Sequence, residues 1–303
     1  MADRRYSIGV DFGGTKIEAA ALDAQGVPVV RRRIATPNRY ESALEAVRDL
    51  VHRVESETCA VDRIGVGTPG SLSPHSGLIR NANTTYLNGK PFSRDLEQVT
   101  GKHIRLSNDA NCLALSEAVD GAAAGAYGVF AVIIGTGCGG GLAVDGKLLT
   151  GANGLAGEWG HNPLPWPSID ELKDAPRCWC GQHGCLETWI SGSGLQRDFM
   201  TMNSSRATSE GILAAMRQGD RGAREAFERY RDRLARALAA VVNLVDPDVI
   251  VLGGGMSNIE ELYTDLPPMI RRHVFADVWS APVVRAKWGD SSGVRGAARL
   301  WDV

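Results

Sequence analysis

The chain has 303 residues, 44% of them hydrophobic and 22% charged, with a formal net charge of −2. That length is enough for two ordinary domains with cores of their own. The near-neutral balance carries no signature of a nucleic-acid or anionic-membrane binder, no signal-length apolar stretch precedes Gly9, and no apolar run reaches membrane-spanning length. The longest apolar segment, residues 234–245, is interrupted by Arg236 and Asn243. The expectation is a cytoplasmic enzyme or binding protein, in a reducing compartment where structural disulfides are rare.

The first segment, SIGVDFGGTKIEAAALDAQGVPVV, reads as strands over residues 8–10 and 17–22 and a third near Val29. Asp11, Gly13, Gly14 and Thr15 lie between the first two. A glycine pair there lets backbone N–H groups approach an anion with no Cβ in the way. Thr15 adds a hydroxyl, and Asp11 can hold magnesium through water. The Walker pattern is absent, and a plain glycine-softened hairpin explains the same residues. Residues 41–57 set Leu44, Val47, Val51 and Val54 at helical spacing.

HIRLSNDANCLALSEAV, residues 103–119, reads as a strand entering a helix, with Ser107 or Asn108 near the N-cap and Asp109 in the first turn. Asp109 either complements the helix dipole or is a general base toward a substrate hydroxyl. The helix terminus keeps it ionised at the cost of basicity. Phosphoryl transfer tolerates that, because positioning and charge neutralisation supply most of its catalysis.

VFAVIIGTGCGGGLAVDGKLLTG, residues 129–151, repeats the first plan: strand, Gly135-Thr136-Gly137, strand, Asp145-Gly146 turn, strand. The repeat predicts a duplicated α/β domain with a cleft between its halves and two phosphate-cradling turns for a nucleoside triphosphate. Residues 224–244 form a long helix closed by Asp246-Pro247. VIVLGGGMSN then gives a buried strand, Gly253, Gly254 and Gly255, and a helix, which suits close approach of an adenosine. A strand over residues 283–287 and a short helix close the sequence.

CWCGQHGCLE places Cys178, Cys180 and Cys185 within eight residues. Cys-x-Cys does not readily close on itself, and the redox spacing Cys-x-x-Cys is absent. Tetrahedral zinc needs one further ligand. His161 in GEWGHNPLPW and His183 inside the cluster are the two candidates. A Cys3His site has no open position, so the metal fixes geometry and activates no water. It would bring Glu158 and Glu187 to one side. Paired carboxylates suit the vicinal hydroxyls of a sugar; if they only solvate the surface, substituting them leaves KM unchanged.

These residues resemble the ROK family of sugar kinases and repressors. DFGGTK, NDAN, IGTGCGGG, GEWGH, CWCGQHGCLE and LGGGMSN occur in the family's order over nearly the whole chain. The resemblance implies a two-lobed α/β fold of the ribonuclease-H-like, actin-type ATPase class with an interlobe cleft and a structural zinc loop. Residues 1–112 would form the small lobe and 113–291 the large one, with a final helix at about 292–303 packing back on the small lobe. It implies ATP and Mg2+ as cofactors, a structural Zn2+ on His161, Cys178, Cys180 and Cys185, and a homodimer. Asp109 takes the role of base toward the sugar 6-hydroxyl, and Asn108, Glu158, His161 and Glu187 contact sugar hydroxyls. Asp11, Gly13, Gly14, Thr15 and Lys16, with Gly135, Thr136, Gly137, Gly139 and Gly140, take the ATP-phosphate sites, and Gly253, Gly254 and Gly255 lie near adenosine. Cys138 stands where the family often has Val or Ile.

Within the family, NANTTYLNGKPF, LSEAVDGAAAGA and GEWGHNPLPW resemble the fructokinase (manno-fructokinase) branch. Fructose ranks first as acceptor, N-acetylglucosamine second, and glucose or a broad hexose range third. A family repressor would carry a winged helix-turn-helix ahead of the first hairpin, for which the expected strand near Tyr6 leaves no room. A zinc-ribbon nucleic-acid module would want a basic surface and a second cysteine pair. A non-catalytic sugar sensor is the alternative of a different class, and Asp109 with the three glycine sites argues against it.

Overall fold

The computed structural model describes residues 6–59 and 61–302. In chain order the strands and α-helices begin with β1 (Ser7–Phe12), β2 (Lys16–Leu22), β3 (Pro28–Ala35), α1 (Tyr40–Glu57), β4 (Arg63–Thr68), β5 (Ser71–Leu72) and β6 (Ile79–Arg80). There follow α2 (Phe92–Thr100), β7 (His103–Asn108), α3 (Asp109–Val119), β8 (Gly128–Ile134), β9 (Cys138–Val144) and β10 (Lys147–Leu148). The remainder is α4 (Ile169–Lys173), α5 (Leu186–Ile190), α6 (Gly192–Asn203), α7 (Ser209–Arg217), α8 (Arg221–Val245), β11 (Val249–Gly253), α9 (Glu261–Arg271), β12 (Val283–Arg285) and α10 (Ser292–Ala298). No helix among the described residues is long and apolar enough to cross a membrane.

Two compact units result. The first takes residues up to Ala126, Gly141–Gly157 and those from Lys287 on; the second takes Tyr127–Gly140 and Glu158–Ala286. The boundary expected at residues 112 and 113 would cut α3. Instead α3 stays whole in the first unit, where it packs along α10.

The first unit is built on a five-stranded sheet in the order β3-β2-β1-β4-β7. The β1-β2-β3 meander is antiparallel, while β4 and β7 run parallel to β1. Strand alternation sorts the residues of β1. Ile8, Val10 and Phe12 enter the core with Ala43, Val47 and Leu50 of α1, which leaves Gly9 and Asp11 on the face that meets α10. Gly9 and its register partner Gly65 are obligatory there. A Cβ on Gly9 would lie 2.1 Å from the Val294 carbonyl oxygen, and one on Gly65 would lie 1.7 Å from that of Ala297. The glycines let α10 lie directly on the sheet.

Hydrogen bonds lock that helix. The buried Glu117 carboxylate on α3 accepts from Ala122 N (2.7 Å), Lys287 N (2.9 Å) and Ser292 Oγ (2.9 Å). Asp120 pairs with Arg295 at 2.7 Å and with Arg299.

In the second unit β11 pairs in parallel with β8 on one side and β12 on the other. The 25-residue α8 carries the buried Arg233 and Arg236 and ends at Asp246, whose left-handed φ of 47° stops the helix ahead of Pro247. β9 starts in this unit and ends in the first. It pairs antiparallel with β10 through Asp145-Gly146, both at positive φ, as the Asp-Gly dipeptide predicts.

Candidate active site

Asp109 opens α3 directly after β7. The N-cap is Asn108, whose Oδ1 accepts from Asn111 N at 2.9 Å, which leaves its amide NH2 and one Oδ1 lone pair for another contact. Asp109 Oδ1 accepts from Ala110 N at 2.8 Å, anchoring the carboxylate at the positive end of the helix.

Asp11 lies on the α10 face of β1. Burial pushes its carboxyl up to about 7, with the Asp109 and Glu18 carboxylates adding to the shift and Lys16 and Arg33 opposing it. No ion pair to Asp11 occurs among the described residues. A Cβ on Gly293 of α10 would sit 2.8 Å from Asp11 Oδ2, so this helix forms one wall of the carboxyl's position. That wall leaves no local signal in the sequence, because residue 293 is remote from residue 11 in the chain. Glu18 beside it is 1% exposed and neutralised by Arg31 and Arg33.

In the first glycine turn Gly13 N donates to Lys16 O at 2.9 Å, and Thr36 binds it from outside, Oγ1 to Gly13 O (2.7 Å) and N to Thr15 O (3.0 Å). Lys16 forms an exposed ion pair with Asp290 at 3.3 Å.

The other two glycine sites belong to the second unit. Gly135 follows β8 and Gly254 follows β11, and those strands are parallel neighbours with Ile133 opposite Gly253. Both turns therefore occupy the carboxyl ends of adjacent parallel strands, where open α/β sheets bind ligands. Gly254 has φ 79°, and a Cβ there would stand 2.4 Å from the Ile134 carbonyl. Gly139 and Gly140 fall inside β9, beyond the turn itself. The segment after Gly254 is one 3-10 turn, Gly255–Asn258, and α9 starts only at Glu261.

The cysteine loop closes on His161. Ligand atoms of His161, Cys178, Cys180 and Cys185 all lie within 4.8 Å of one another. Cys178 Sγ is 3.6 Å from His161 Nδ1, and Cys180 Sγ is 3.6 Å from Cys185 Sγ. Tetrahedral zinc, with bonds of about 2.3 Å to sulfur and about 2.0 Å to nitrogen, sets its donors roughly 3.5–3.8 Å apart. The donors fit such an ion, and the sulfurs are too far apart for a disulfide. Local backbone makes the knuckle: Cys178 N donates to Gln182 O (2.8 Å), and Gly181 and Gly184 take φ of 94° and 71°. His183 is outside the donor group; its backbone bridges Arg177. Geometry thus groups His161, and not His183, with the three cysteines as candidate donors.

Glu158 precedes the short turn Trp159–His161, and Gly160 seats that turn, since a Cβ there would meet the Cys138 carbonyl at 2.2 Å. Glu187 is engaged at both oxygens. Oε1 accepts from Trp179 Nε1 at 2.7 Å and Oε2 from Cys138 N at 3.0 Å. Trp179 escaped the sequence reading, because a tryptophan between two cysteines carries no spacing signal. Burial, and after it the Glu187 carboxylate, keeps the Cys138 thiol protonated.

A cavity of about 600 Å³ in the second unit, walled by Trp166, Trp189, Arg197 and Arg233, contains none of the nominated residues.

The ROK family model matches residues 7–303. The chain is 38% identical over 296 residues to the N-acetyl-D-glucosamine kinase of Vibrio cholerae serotype O1, covering 96% of this chain and 98% of that one. Among solved structures it is similar to the ROK hexokinase of Thermus thermophilus, with TM-score 0.85, 34% identity and 97% of each chain covered. It is also similar to a ROK family glucokinase of Streptomyces griseus in complex with glucose and AMPPNP, with TM-score 0.80, 29% identity and coverage of 98% and 99%. With a family match over nearly its whole length and the actin-like ATPase fold of these structures, the chain belongs to the ROK family, as one of its sugar kinases.

Proposed function

We propose that the protein transfers the γ-phosphoryl group of ATP to the 6-hydroxyl of a hexose, with D-fructose as the preferred acceptor. The observation that carries the reading is Asp109, anchored at the start of α3 beside the half-buried Asp11. Asp109 takes the proton of the 6-hydroxyl as the sugar oxygen bonds to the γ-phosphorus and the bond to the bridging oxygen of ADP breaks. Asp11 belongs to the magnesium site, a role supported by a carboxyl whose charge is opposed by burial and two neighbouring carboxylates. Magnesium, when bound with ATP, supplies positive charge to the phosphates. The turns at Gly13-Gly14-Thr15-Lys16 and Gly135-Thr136-Gly137, continued by Gly139 and Gly140, hold phosphate, and Gly253-Gly254-Gly255 approaches adenosine.

Asn108, through its amide NH2, and Glu158, His161 and Glu187 contact sugar hydroxyls. His161 serves twice. Its Nδ1 faces the Cys178 sulfur, which leaves Nε2 for a hydroxyl. Zinc on His161, Cys178, Cys180 and Cys185 would fix the loop and take no part in the transfer. We place the reaction in the cytoplasm, in keeping with six free cysteines.

Fructose rests on the three loops that resemble the fructokinase branch. N-acetylglucosamine is the second reading, favoured by the relatives at 38% identity, whose names carry that sugar. The test is ADP release with fructose, mannose, glucose and N-acetylglucosamine at matched concentrations. The highest kcat/KM on fructose is expected. A tenfold lead for N-acetylglucosamine replaces fructose with it, and turnover of none of the four leaves a sugar sensor.

A further inference from the structure

Trp179, between two of the clustered cysteines, touches two of the proposed sugar contacts, Glu187 and His161. Its side chain is 60% exposed, so water could satisfy its indole N–H at no cost. The N–H instead donates to Glu187 Oε1 at 2.7 Å. Its ring stands edge-on to His161, with centroids 4.9 Å apart and planes at 89°. A tryptophan this exposed is thus held against both His161 and Glu187.

Glu187 is clamped from the other side by Cys138 N at 3.0 Å, and its Oε2 lies so close to Gly137 that a Cβ there would come within 2.5 Å. One donor on each oxygen fixes the plane of the carboxylate and leaves a second lone pair on each free for a hydroxyl. An indole with one exposed face also offers an apolar surface next to those lone pairs.

We propose that Trp179 is a positioning and specificity residue for the acceptor: its N–H aims the Glu187 carboxylate, and its ring packs against the C–H face of the bound sugar. The inference rests on the reading of Glu187 and His161 as sugar contacts. Rotation of the indole away from Glu187 costs acceptor affinity and leaves the transfer step alone, because the proton goes to Asp109. The identity of the residue between Cys178 and Cys180 is then a lever on which hexose is preferred.

The test uses the full-length protein with Trp179→Phe, which keeps a ring and loses the N–H, and Trp179→Ala, which loses both. Metal content per chain, equal to wild type, verifies that the loop is intact. For Trp179→Phe the sugar KM rises about three- to tenfold, as loss of one hydrogen bond of ordinary net strength at an exposed site predicts, with kcat within about twofold. Trp179→Ala shows a larger rise in KM and a changed order of preference among the four hexoses. Binding is read without turnover by titrating each sugar into protein lacking ATP. The wild-type change in tryptophan emission is expected to be lost in Trp179→Phe although six tryptophans remain of the seven. A sugar KM within twofold of wild type in both variants, or an unaltered emission response, overturns the proposal. Absence of phosphoryl transfer by the wild type counts against the kinase reading, while the titration still decides the role of Trp179.

Discussion

Glu171 and Asp198 in the second unit lie among Arg229, Arg233 and Arg236, and all four of their carboxylate oxygens accept bonds from guanidinium groups. Burial works to raise the Glu171 carboxyl, but Arg236, Arg233 and the Ser168 N–H hold it down to about 2. Burial also raises the carboxyl of Asp11 in the first unit, and there Asp109 and Glu18 add to the shift and outweigh Lys16 and Arg33, so it goes the other way, to about 7. The first cluster is finished by its own side chains and tethers α4 to α6 and α8. The second has no guanidinium bonded to the Asp11 carboxylate among the described residues, and its proposed role is to meet a cation. Burial alone marks neither as functional; the sign of the neighbours does.

The contrast fails at its strongest point if Asp109 is dispensable. Asp109→Asn is expected to lower kcat about 10²–10⁴-fold, with little change in sugar KM, in the ADP-release assay. A loss of less than tenfold removes Asp109 as the base. Next in size, Glu171→Gln removes the carboxylate shared by two buried guanidinium groups and is expected to cost about 3 kcal/mol of stability while kcat stays near wild type, measured by urea unfolding and initial rates. Because the folded carboxyl is held below its ordinary value, this stabilisation is present above about pH 4.5 and fades as pH falls toward 2. The variant should therefore lose less stability than wild type across that window.

Asp11 gives the smallest effect, with the opposite sign. Its folded value lies above the ordinary one, so ionising it costs stability that grows as pH rises from about 3.8 to about 7. Without divalent cations at pH 8, Asp11→Asn is expected to melt higher than wild type by several degrees. The same variant should need more magnesium for half-maximal rate. A lower melting temperature would assign Asp11 to the structural class with Glu171.

Much of this was legible in the sequence because its cause is local. The glycine turns, the strand that delivers Asp109 to a helix start, and the three cysteines are each written within about twenty residues. What was not legible depends on chain segments far apart. His161 and His183 are equal as ligands until the knuckle folds, and pairing of His183 with Arg177 leaves His161 beside Cys178. The domain boundary went astray because α3 belongs with α10, a partner some 180 residues later that binds it through Glu117 and Ser292. The helix expected after the three glycines begins with a 3-10 turn and becomes α-helical only at Glu261, since glycine-rich segments hold little propensity information.

The seat that Gly9 and Gly65 provide for α10 bears on how the protein is made. On a ribosome, residues 287–302 emerge after every residue of the second unit, yet the first unit needs them to cover one face of its sheet and to wall in Asp11. The second unit has most of its chain available earlier and can fold as it is synthesised. The first must wait, with the Gly9 and Gly65 face of its sheet uncovered, for a loop closure spanning almost the whole sequence. The nascent chain therefore acquires its acidic pair in working order last, and a chain shortened ahead of α10 would expose that face to chaperones and proteases.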